Sequence, residues 1–265
     1  MLLLCGCPKK WHTACLTAAL MRASIRIGTS GWEYRHWAGD FYPRGMARDR
    51  WLERYADEFE TVELNNPFYR LPSADVFEAW GRRVPADFRF AVKASRYLTH
   101  LKRLREPQEP LERFWSRACR LGERLGPVLY QLPPRWKPNR RRLAEFLAAL
   151  PDEPQAIEFR DRRWYGPMTC ALLAEARVAL CLHDMAGSAT RPAAVGPLVY
   201  VRFHGSGERY GGRYPSQRLS AWARRMADWA ADGLPVWAYF NNDIGGHAFR
   251  DADRLRAMVA RRTGD

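Results

Sequence analysis

Polar side chains recur at every second position in three short segments of the sequence. The segments are Thr61–Asn65 (TVELN), Ala156–Arg160 (AIEFR) and Tyr200–His204 (YVRFH). In an extended strand, successive side chains point to opposite faces, so the polar members of each segment share one face. The residues predicted to lie on these polar faces are Glu63, Asn65, Glu158, Arg160, Arg202 and His204.

Four of the charged or titratable residues form a predicted catalytic set. Glu158 and His204 are the expected acid/base pair, because a histidine titrates near neutral pH, and Glu63 is the alternative carboxylate base. Lys93 ends another predicted strand and would stabilise developing negative charge. A Schiff-base role for Lys93 requires burial to lower its pKa, and the sequence does not select that option.

The remaining polar and aromatic residues form a predicted substrate-binding set. Arg160 and Arg202 can each hold a phosphate or carboxylate through two N–H groups. The other members would orient the substrate from the ends of strands or from nearby loops. The full set is Asn65, Gln131, Arg160, Arg202, Asn242, Trp32, Tyr69 and Tyr210.

Eight predicted strands alternate with helix-period stretches, and this order favours one parallel α/β barrel over two domains. In such a barrel, chemistry is placed at the C-terminal ends of the strands, which is where the polar residues cluster. An open doubly wound sheet is the alternative, but no glycine-rich phosphate loop follows the first strand. The strands are Ile25–Thr29, Thr61–Asn65, Phe88–Lys93, Val128–Gln131, Ala156–Arg160, Val178–Leu182, Leu198–His204 and Val236–Asn241.

The connecting segments carry helix start signals and one interruption. Asn139 and Ser216 each precede an apolar stripe at helical spacing and are predicted to cap those helices. Between Asp184 and Pro197, glycine and proline leave little room for a helix. We therefore predict a TIM-type (β/α)8 barrel whose sixth helix is short or missing.

The composition is that of an ordinary globular chain with a basic excess. Hydrophobic residues make up 47% and the net charge is +14, from 43 basic and 29 acidic residues, so disordered and collagen-like chains are excluded. No apolar run is long enough to span a bilayer, which predicts no membrane partner. Only five basic residues are lysine. This arginine bias is explained equally well by genome composition or by an anionic partner.

The first 23 residues are predicted to be an extension outside the fold, either a tail or the product of a misassigned start site. The barrel domain is expected over residues 24–265. Cys5, Cys7, His12 and Cys15 match no standard zinc spacing. The other cysteines are scattered through apolar stretches, which predicts a reducing, cytoplasmic location.

Several motifs in order resemble the YecE-like proteins, domain of unknown function 72, from about Ile25 to Met258. The resemblance implies a TIM-type barrel, usually cytoplasmic and bacterial, but no particular reaction. The motifs are Gly28-Thr-Ser-Gly-Trp32, Trp37…Phe41-Tyr42-Pro43, Val62-Glu63-Leu64-Asn65…Phe68-Tyr69, Phe88-x-Phe90-Ala-Val-Lys93, Gln131-Leu-Pro-Pro134, Glu158-x-Arg160, Arg202-Phe-His204-Gly205 and Phe240-Asn-Asn242.

The charge balance of the predicted site favours an anion over a metal ion. Three cations, from Lys93, Arg160 and Arg202, face two carboxylates, whereas a metal site would need more carboxylates and imidazoles. No metal or other cofactor is predicted, although four further residues could add ligands for a divalent metal: His183, Asp184, Asp243 and His247. The predicted function is a hydrolase or lyase acting on a small anionic, phosphate-bearing substrate.

Two basic loops support a second reading of the same face. Tyr97 and Trp136 lie among the cations of the loops that follow the third and fourth strands, and basic grooves with aromatic residues bind single-stranded nucleic acid. The alternative function is therefore a nucleic-acid-binding protein or a nuclease-like enzyme. A solvated helix start with packed tryptophans explains the same residues equally well. The cations are Arg96, Lys102, Arg103, Arg105, Arg135, Lys137, Arg140, Arg141 and Arg142.

Overall fold

The computed structural model describes residues 23–185, 189–190, 193–207 and 210–264. Eight strands and eight α-helices lie along these residues, with two of the helices between β2 and β3. The strands are β1 Ile25–Thr29, β2 Thr61–Leu64, β3 Arg89–Lys93, β4 Leu125–Gln131, β5 Gln155–Glu158, β6 Ala179–His183, β7 Val199–Phe203 and β8 Val236–Phe240. The helices are α1 Trp51–Glu58, α2 Asn66–Tyr69, α3 Ala74–Arg82, α4 Gln108–Ala118, α5 Arg140–Ala148, α6 Pro167–Glu175, α7 Ser216–Ala231 and α8 His247–Thr263.

All eight strands pair in parallel and form one nearly closed barrel with the helices around it. The hydrogen-bonded order runs from β1 through β8 and β7 down to β2. This confirms the predicted TIM-type barrel. Between His183 and Val199 the described residues form no helix, in line with the prediction of a short or missing sixth helix.

The seam between β1 and β2 is bridged by a side chain. The Thr29 backbone N–H donates to the Tyr55 hydroxyl at 3.0 Å, and that hydroxyl donates to the Thr61 carbonyl at 3.1 Å. The two strands approach closely here, because a Cβ at Gly28 would overlap the carbonyl oxygen of Thr61. Glycine is therefore required at position 28 for the barrel to close.

Side chains of the strands alternate between two cores. Those pointing outward, such as Ile157 and Val201, pack under the helices in the main hydrophobic cluster. A separate cluster fills the barrel interior. Its members are Ala91, Leu129, Ala156, Ala179, Cys181, Leu198, Tyr200, Trp237 and Tyr239.

The two predicted helix caps differ in outcome. Asn139 caps α5, with its side chain accepting a hydrogen bond from the Arg142 N–H at 3.0 Å. The prediction for Ser216 was wrong, because Pro215 occupies the cap position of α7 and Ser216 is its first helical residue. The Ser216 hydroxyl instead accepts a hydrogen bond from Arg254 on α8 at 2.7 Å.

The first described residue, Ala23, is already in contact with the fold. Ala23 is tied to the barrel by a backbone hydrogen bond to the Ala230 carbonyl at 3.0 Å. The predicted extension and its four candidate zinc ligands otherwise lie outside the described residues. Among the residues that are described, no helix combines the length and apolarity needed to cross a bilayer.

Candidate functional site

The barrel interior becomes polar at the C-terminal ends of the strands. Register places Gln131 of β4 beside Glu158 of β5, and His183 of β6 beside Arg202 of β7. Because paired residues on neighbouring parallel strands point to the same face of the sheet, these side chains lie together above the apolar interior cluster and form the strand-end layer. The structure therefore brings together the strand-end residues that the alternating segments predicted.

Arg202 is the centre of this layer. Its Nη2 donates to Glu63 Oε1 at 2.8 Å, and its Nη1 donates to Glu158 Oε2 at 2.7 Å. Glu63 and Glu158 are fully buried, and Arg202 is 1% exposed. Both terminal nitrogens of Arg202 are thus used within the protein, across β2, β5 and β7.

Neutral side chains complete the shells of the two carboxylates. Glu63 accepts hydrogen bonds from the hydroxyls of Ser30 and Tyr200, both at 2.7 Å. Gln131 donates to Glu158 Oε2 at 2.8 Å. These bonds satisfy both oxygens of Glu63 and the Oε2 atom of Glu158, as buried charges require, and leave Glu158 Oε1 to its contact with Arg160.

The same contacts fix the protonation of the carboxylates. Burial alone would raise the pKa of Glu63, but the charge and hydrogen bonds of Arg202 outweigh it and hold that pKa below its usual range. The pKa of Glu158 is lowered well below its usual range, because Arg160 and Arg202 together overcome the effect of burial. Both groups are ionised at neutral pH.

Arg160 lies two residues beyond the end of β5 and is bound differently from Arg202. Its Nε contacts Glu158 Oε1. Its Nη2 lies 3.2 Å from His204 Nε2, and its Nη1 donates to the Met185 sulfur at 2.8 Å. Among the described residues, the outer edge of the Arg160 guanidinium therefore meets neutral partners rather than a second carboxylate.

His204 is neutral at physiological pH. Burial lowers its pKa to about 3; nearby Glu158 opposes the shift, and Arg202 and Arg160 add to it. The ring Nε2 lies 3.6 Å from Glu158 Oε1. The backbone N–H of His204 donates to Asp184 Oδ1 at 2.8 Å, which anchors the end of β7.

Lys93 ends β3 and is 6% exposed. Its Nζ lies 3.8 Å from the centroid of the Phe68 ring on α2. Burial, followed by the positive charge of Arg202, lowers the pKa of Lys93 to about 7, against the opposing attraction of Glu158 and Glu63. Lys93 therefore exchanges between its neutral and charged forms near physiological pH.

Of the other predicted binding residues, Tyr210 and Asn65 have a ring contact or a buried acceptor to offer at the site, whereas Tyr69 is exposed and Trp32 is packed in the core. Tyr210 packs against His204 with ring centroids 5.6 Å apart, and the Asn65 Oδ1 atom is buried without a hydrogen-bond partner among the described residues. Tyr69 is 70% exposed. Trp32 is buried edge-on against Trp80, so it serves packing.

Asn242 joins a different network from the strand-end layer. Its amide donates to Gly212 and to Asp251, at 3.0 and 2.9 Å. These contacts tie β8 to α8, so Asn242 stands apart from the ion pairs around Arg202.

Sequence reasoning missed Tyr200 and Ser30, which complete the Glu63 site. Tyr200 was the first polar member of the alternating segment Tyr200–His204, so the period itself could have identified it. Ser30 follows β1, and nothing in its local pattern indicates its contact with Glu63. Among the described residues, no group of three or more His, Cys, Asp or Glu side chains could hold a metal ion.

The basic loops are less open than their sequence predicted. Trp136 is 9% exposed, and its carbonyl accepts a hydrogen bond from the Trp164 indole at 2.8 Å, so it belongs to the core. Lys102 pairs with Glu106 at 2.8 Å and Arg141 with Glu145 at 2.9 Å. Tyr97 remains 45% exposed at the beginning of its loop.

Fold and site together define a TIM-type barrel whose C-terminal mouth is filled by a charged network. A family model described as "Protein of unknown function DUF72" matches residues 26–265, and the chain belongs to this family. This confirms the resemblance seen in the sequence motifs.

Named relatives carry no stated activity. The UPF0759 protein YunF of Bacillus subtilis is 28% identical, over 89% of this chain and 93% of that protein. The UPF0759 protein YecE of Escherichia coli K12 is 32% identical, over 54% of this chain and 50% of YecE.

Solved structures of the same family share the fold. A DUF72 family protein from Thermotoga maritima superimposes with a TM-score of 0.80 at 28% identity, covering 89% of this chain and 99% of that one. A DUF72 family protein from Enterococcus faecalis gives a TM-score of 0.75 at 20% identity, over 89% of this chain and 95% of that one.

Proposed function

We propose that this protein is an enzyme, a hydrolase or lyase, acting on an anionic, phosphate-bearing substrate at the C-terminal mouth of the barrel. The observation that supports it best is the contrast between the two arginines. Arg202 is neutralised by two carboxylates, whereas within the part of the chain that the structure describes the outer edge of Arg160 meets His204 and Met185 and no carboxylate. A desolvated guanidinium edge with neutral neighbours attracts an anion strongly.

The proposed roles follow from these contacts. Arg160 binds the anion, and Glu158 positions Arg160. Arg202 and Glu63 hold the layer together rather than touching substrate, because the terminal nitrogens of Arg202 are already bonded. The Oδ1 atom of Asn65, to which no described residue donates, is an acceptor for a substrate hydroxyl, since a buried acceptor without a partner is unfavourable.

His204 is the proposed proton-transfer group. In the absence of substrate His204 is a weak base, because burial and the neighbouring arginines disfavour its charged form. A bound anion would neutralise Arg160 and add negative charge beside the ring, which raises the pKa of His204. Acid/base chemistry at His204 is then coupled to substrate binding.

Thermal unfolding with and without inorganic pyrophosphate tests the anion site. A ligand at about 100 times its Kd stabilises by about 2.7 kcal/mol, so we expect Tm to rise by about 5–10 °C. R160Q should abolish the rise, whereas the matched surface variant R141Q should retain it. An equal rise in R160Q and wild type would refute the assignment of the anion to Arg160.

Binding of single-stranded nucleic acid is a second candidate, favoured by the two exposed tyrosines on adjacent loops of this face. Tyr69 follows β2 and Tyr97 follows β3, with exposed Arg96 next to Tyr97. Such rings can stack on bases while cations contact phosphates. Fluorescence anisotropy with a labelled oligonucleotide should then show salt-dependent binding that weakens at least about tenfold in Y69A/Y97A. Unchanged affinity in this double variant would exclude the stacking role.

A further inference from the structure

The amino group of Lys93 lies at the mouth and pairs with no charged group among the residues that the structure describes. Most buried lysines are paired with a carboxylate. Here Glu63 and Glu158 are occupied by Arg202 and Arg160, and no described residue forms a hydrogen bond or ion pair with Lys93. Its Nζ instead lies over the face of the Phe68 ring, 3.8 Å from the ring centroid.

From this geometry we infer that Lys93 is a nucleophile that forms an imine with the carbonyl group of an anionic aldehyde or ketone. The inference rests on the proposed function, since Arg160 holds the anionic group of the same molecule. It narrows the substrate class from any phosphate-bearing compound to one that also carries a carbonyl group.

The surroundings of Lys93 keep part of it neutral and therefore nucleophilic. The charged groups that act on it are Arg202 on β7, Glu158 and Arg160 at the end of β5, and Glu63 on β2. Burial and Arg202 dominate and bring the pKa to about 7. At pH 7 about half of the Lys93 amines are then neutral, against fewer than about one in a thousand for an ordinary lysine.

The step is balanced without an added oxidant or reductant. The Nζ lone pair attacks the carbonyl carbon, the C=O π electrons move to oxygen, and a carbinolamine forms. Loss of the oxygen with the two amine protons as water gives the C=N bond. An imine withdraws electrons from the adjacent carbon–carbon bond, which suits the lyase form of the proposed function.

The phosphate-free and phosphate-bearing forms of one small aldehyde test this inference. The protein is incubated at pH 7 with glycolaldehyde phosphate or glycolaldehyde and sodium cyanoborohydride. The reagent delivers hydride to the imine carbon and leaves a stable secondary amine that peptide mass spectrometry locates. Lys102 and Lys137 of the same chain are internal references, and K102R is the matched control for K93R.

We expect glycolaldehyde phosphate to modify Lys93 at least about tenfold faster than Lys102 or Lys137. Total incorporation should fall in K93R but not in K102R. The internal references keep the test valid even if K93R folds poorly. If Lys93 reacts no faster than the reference lysines with either aldehyde, the inference is overturned, whether or not pyrophosphate protects the protein.

The phosphate-free aldehyde separates this result from the proposed anion site. Faster modification of Lys93 by both aldehydes at equal rates supports the nucleophile and contradicts the role of Arg160. Preference for glycolaldehyde phosphate in wild type, lost in R160Q, supports both.

Discussion

The lower and upper layers of the barrel interior are filled in contrasting ways. The lower layer is apolar and mixes small residues such as Ala91 and Ala156 with the large rings of Trp237 and Tyr239. The upper layer buries two carboxylates and a guanidinium in direct contact. Both layers are sealed from solvent to a similar degree, so burial alone does not account for the difference.

The difference shows which layer serves folding and which has another purpose. An apolar layer stabilises the fold by removing hydrocarbon from water. A buried ion network seldom adds net stability over hydrophobic residues of the same volume, because each ion loses its hydration. The upper layer is therefore better explained by the chemistry at the barrel mouth than by stability. Four substitutions test this division.

The largest effect is expected in the upper layer, from R202M. Removing this guanidinium leaves Glu63 and Glu158 buried without their main partner, and breaking a buried pair in this way costs about 3–5 kcal/mol. Urea unfolding at pH 7 measures the loss, with R141M on the surface as the control. A loss of less than about 1 kcal/mol in the free energy of unfolding would show that Arg202 is not the main partner of Glu63 and Glu158.

In the lower layer, W237A should reduce stability by about 3 kcal/mol through the cavity it leaves. Trp237 lies at the opposite end of the barrel interior from the ion network. There the guanidinium carbon of Arg26 lies 5.6 Å from the centroid of the Trp237 ring. The Tm rise with pyrophosphate should therefore be unchanged in W237A. Loss of that rise would mean that the two layers do not act independently.

K93M should stabilise the protein by about 2 kcal/mol at pH 7, opposite in sign to the first two variants. The pKa of Lys93 is about 7 in the folded state, below the ordinary value of 10.5, so the unfolded chain binds more protons between these values. Wild-type stability should thus rise with pH across this window. Urea unfolding at pH 7 and pH 9.5 measures both effects, and a K93M variant that is less stable at pH 7 would contradict the cost assigned to Lys93.

The smallest expected effect is a change in how steeply the free energy of unfolding falls with pH in acid, and it is measured with E63Q. The pKa of Glu63 is lower in the folded state, so its contribution is present above the unfolded value of about 4.5 and is lost as pH falls through the folded pKa. Between pH 5 and pH 3, E63Q should lose stability less steeply than wild type, by up to about 1.4 kcal/mol per pH unit. Parallel curves would show that Glu63 is not held in its ionised form. E145Q on the surface is the control.

The fold and the strand-end layer could be predicted because both follow from a period of two. In Thr61–Asn65 and Ala156–Arg160, the alternation fixes which side chains enter the barrel, and the strand order fixes that they meet at one end. Arg160 and His204 lie just beyond the ends of β5 and β7, yet they still reach the same layer. The sequence could not show that Arg202 pairs with two carboxylates, because that depends on distances across the barrel.

Loop residues were the least predictable part of the site. Trp32, Trp136 and Asn242 follow strands, as site residues do, but their side chains turn into the core or toward α8. A loop has no period that fixes side-chain direction, so residue type alone was a poor guide there. The seam residue Tyr55 lies on α1, and its hydroxyl bridge between β1 and β2 is visible only in three dimensions.

A crystal soaked in tungstate, a phosphate analogue with a strong anomalous signal, tests the account at its centre. We expect an anomalous peak at the barrel mouth, within hydrogen-bond distance of the outer nitrogens of Arg160. The contradicting result is tungstate bound only at exposed basic surfaces, such as the groove between α7 and α8 lined by Arg224, Arg261 and Arg262. In that case the charged mouth would not be the anion site.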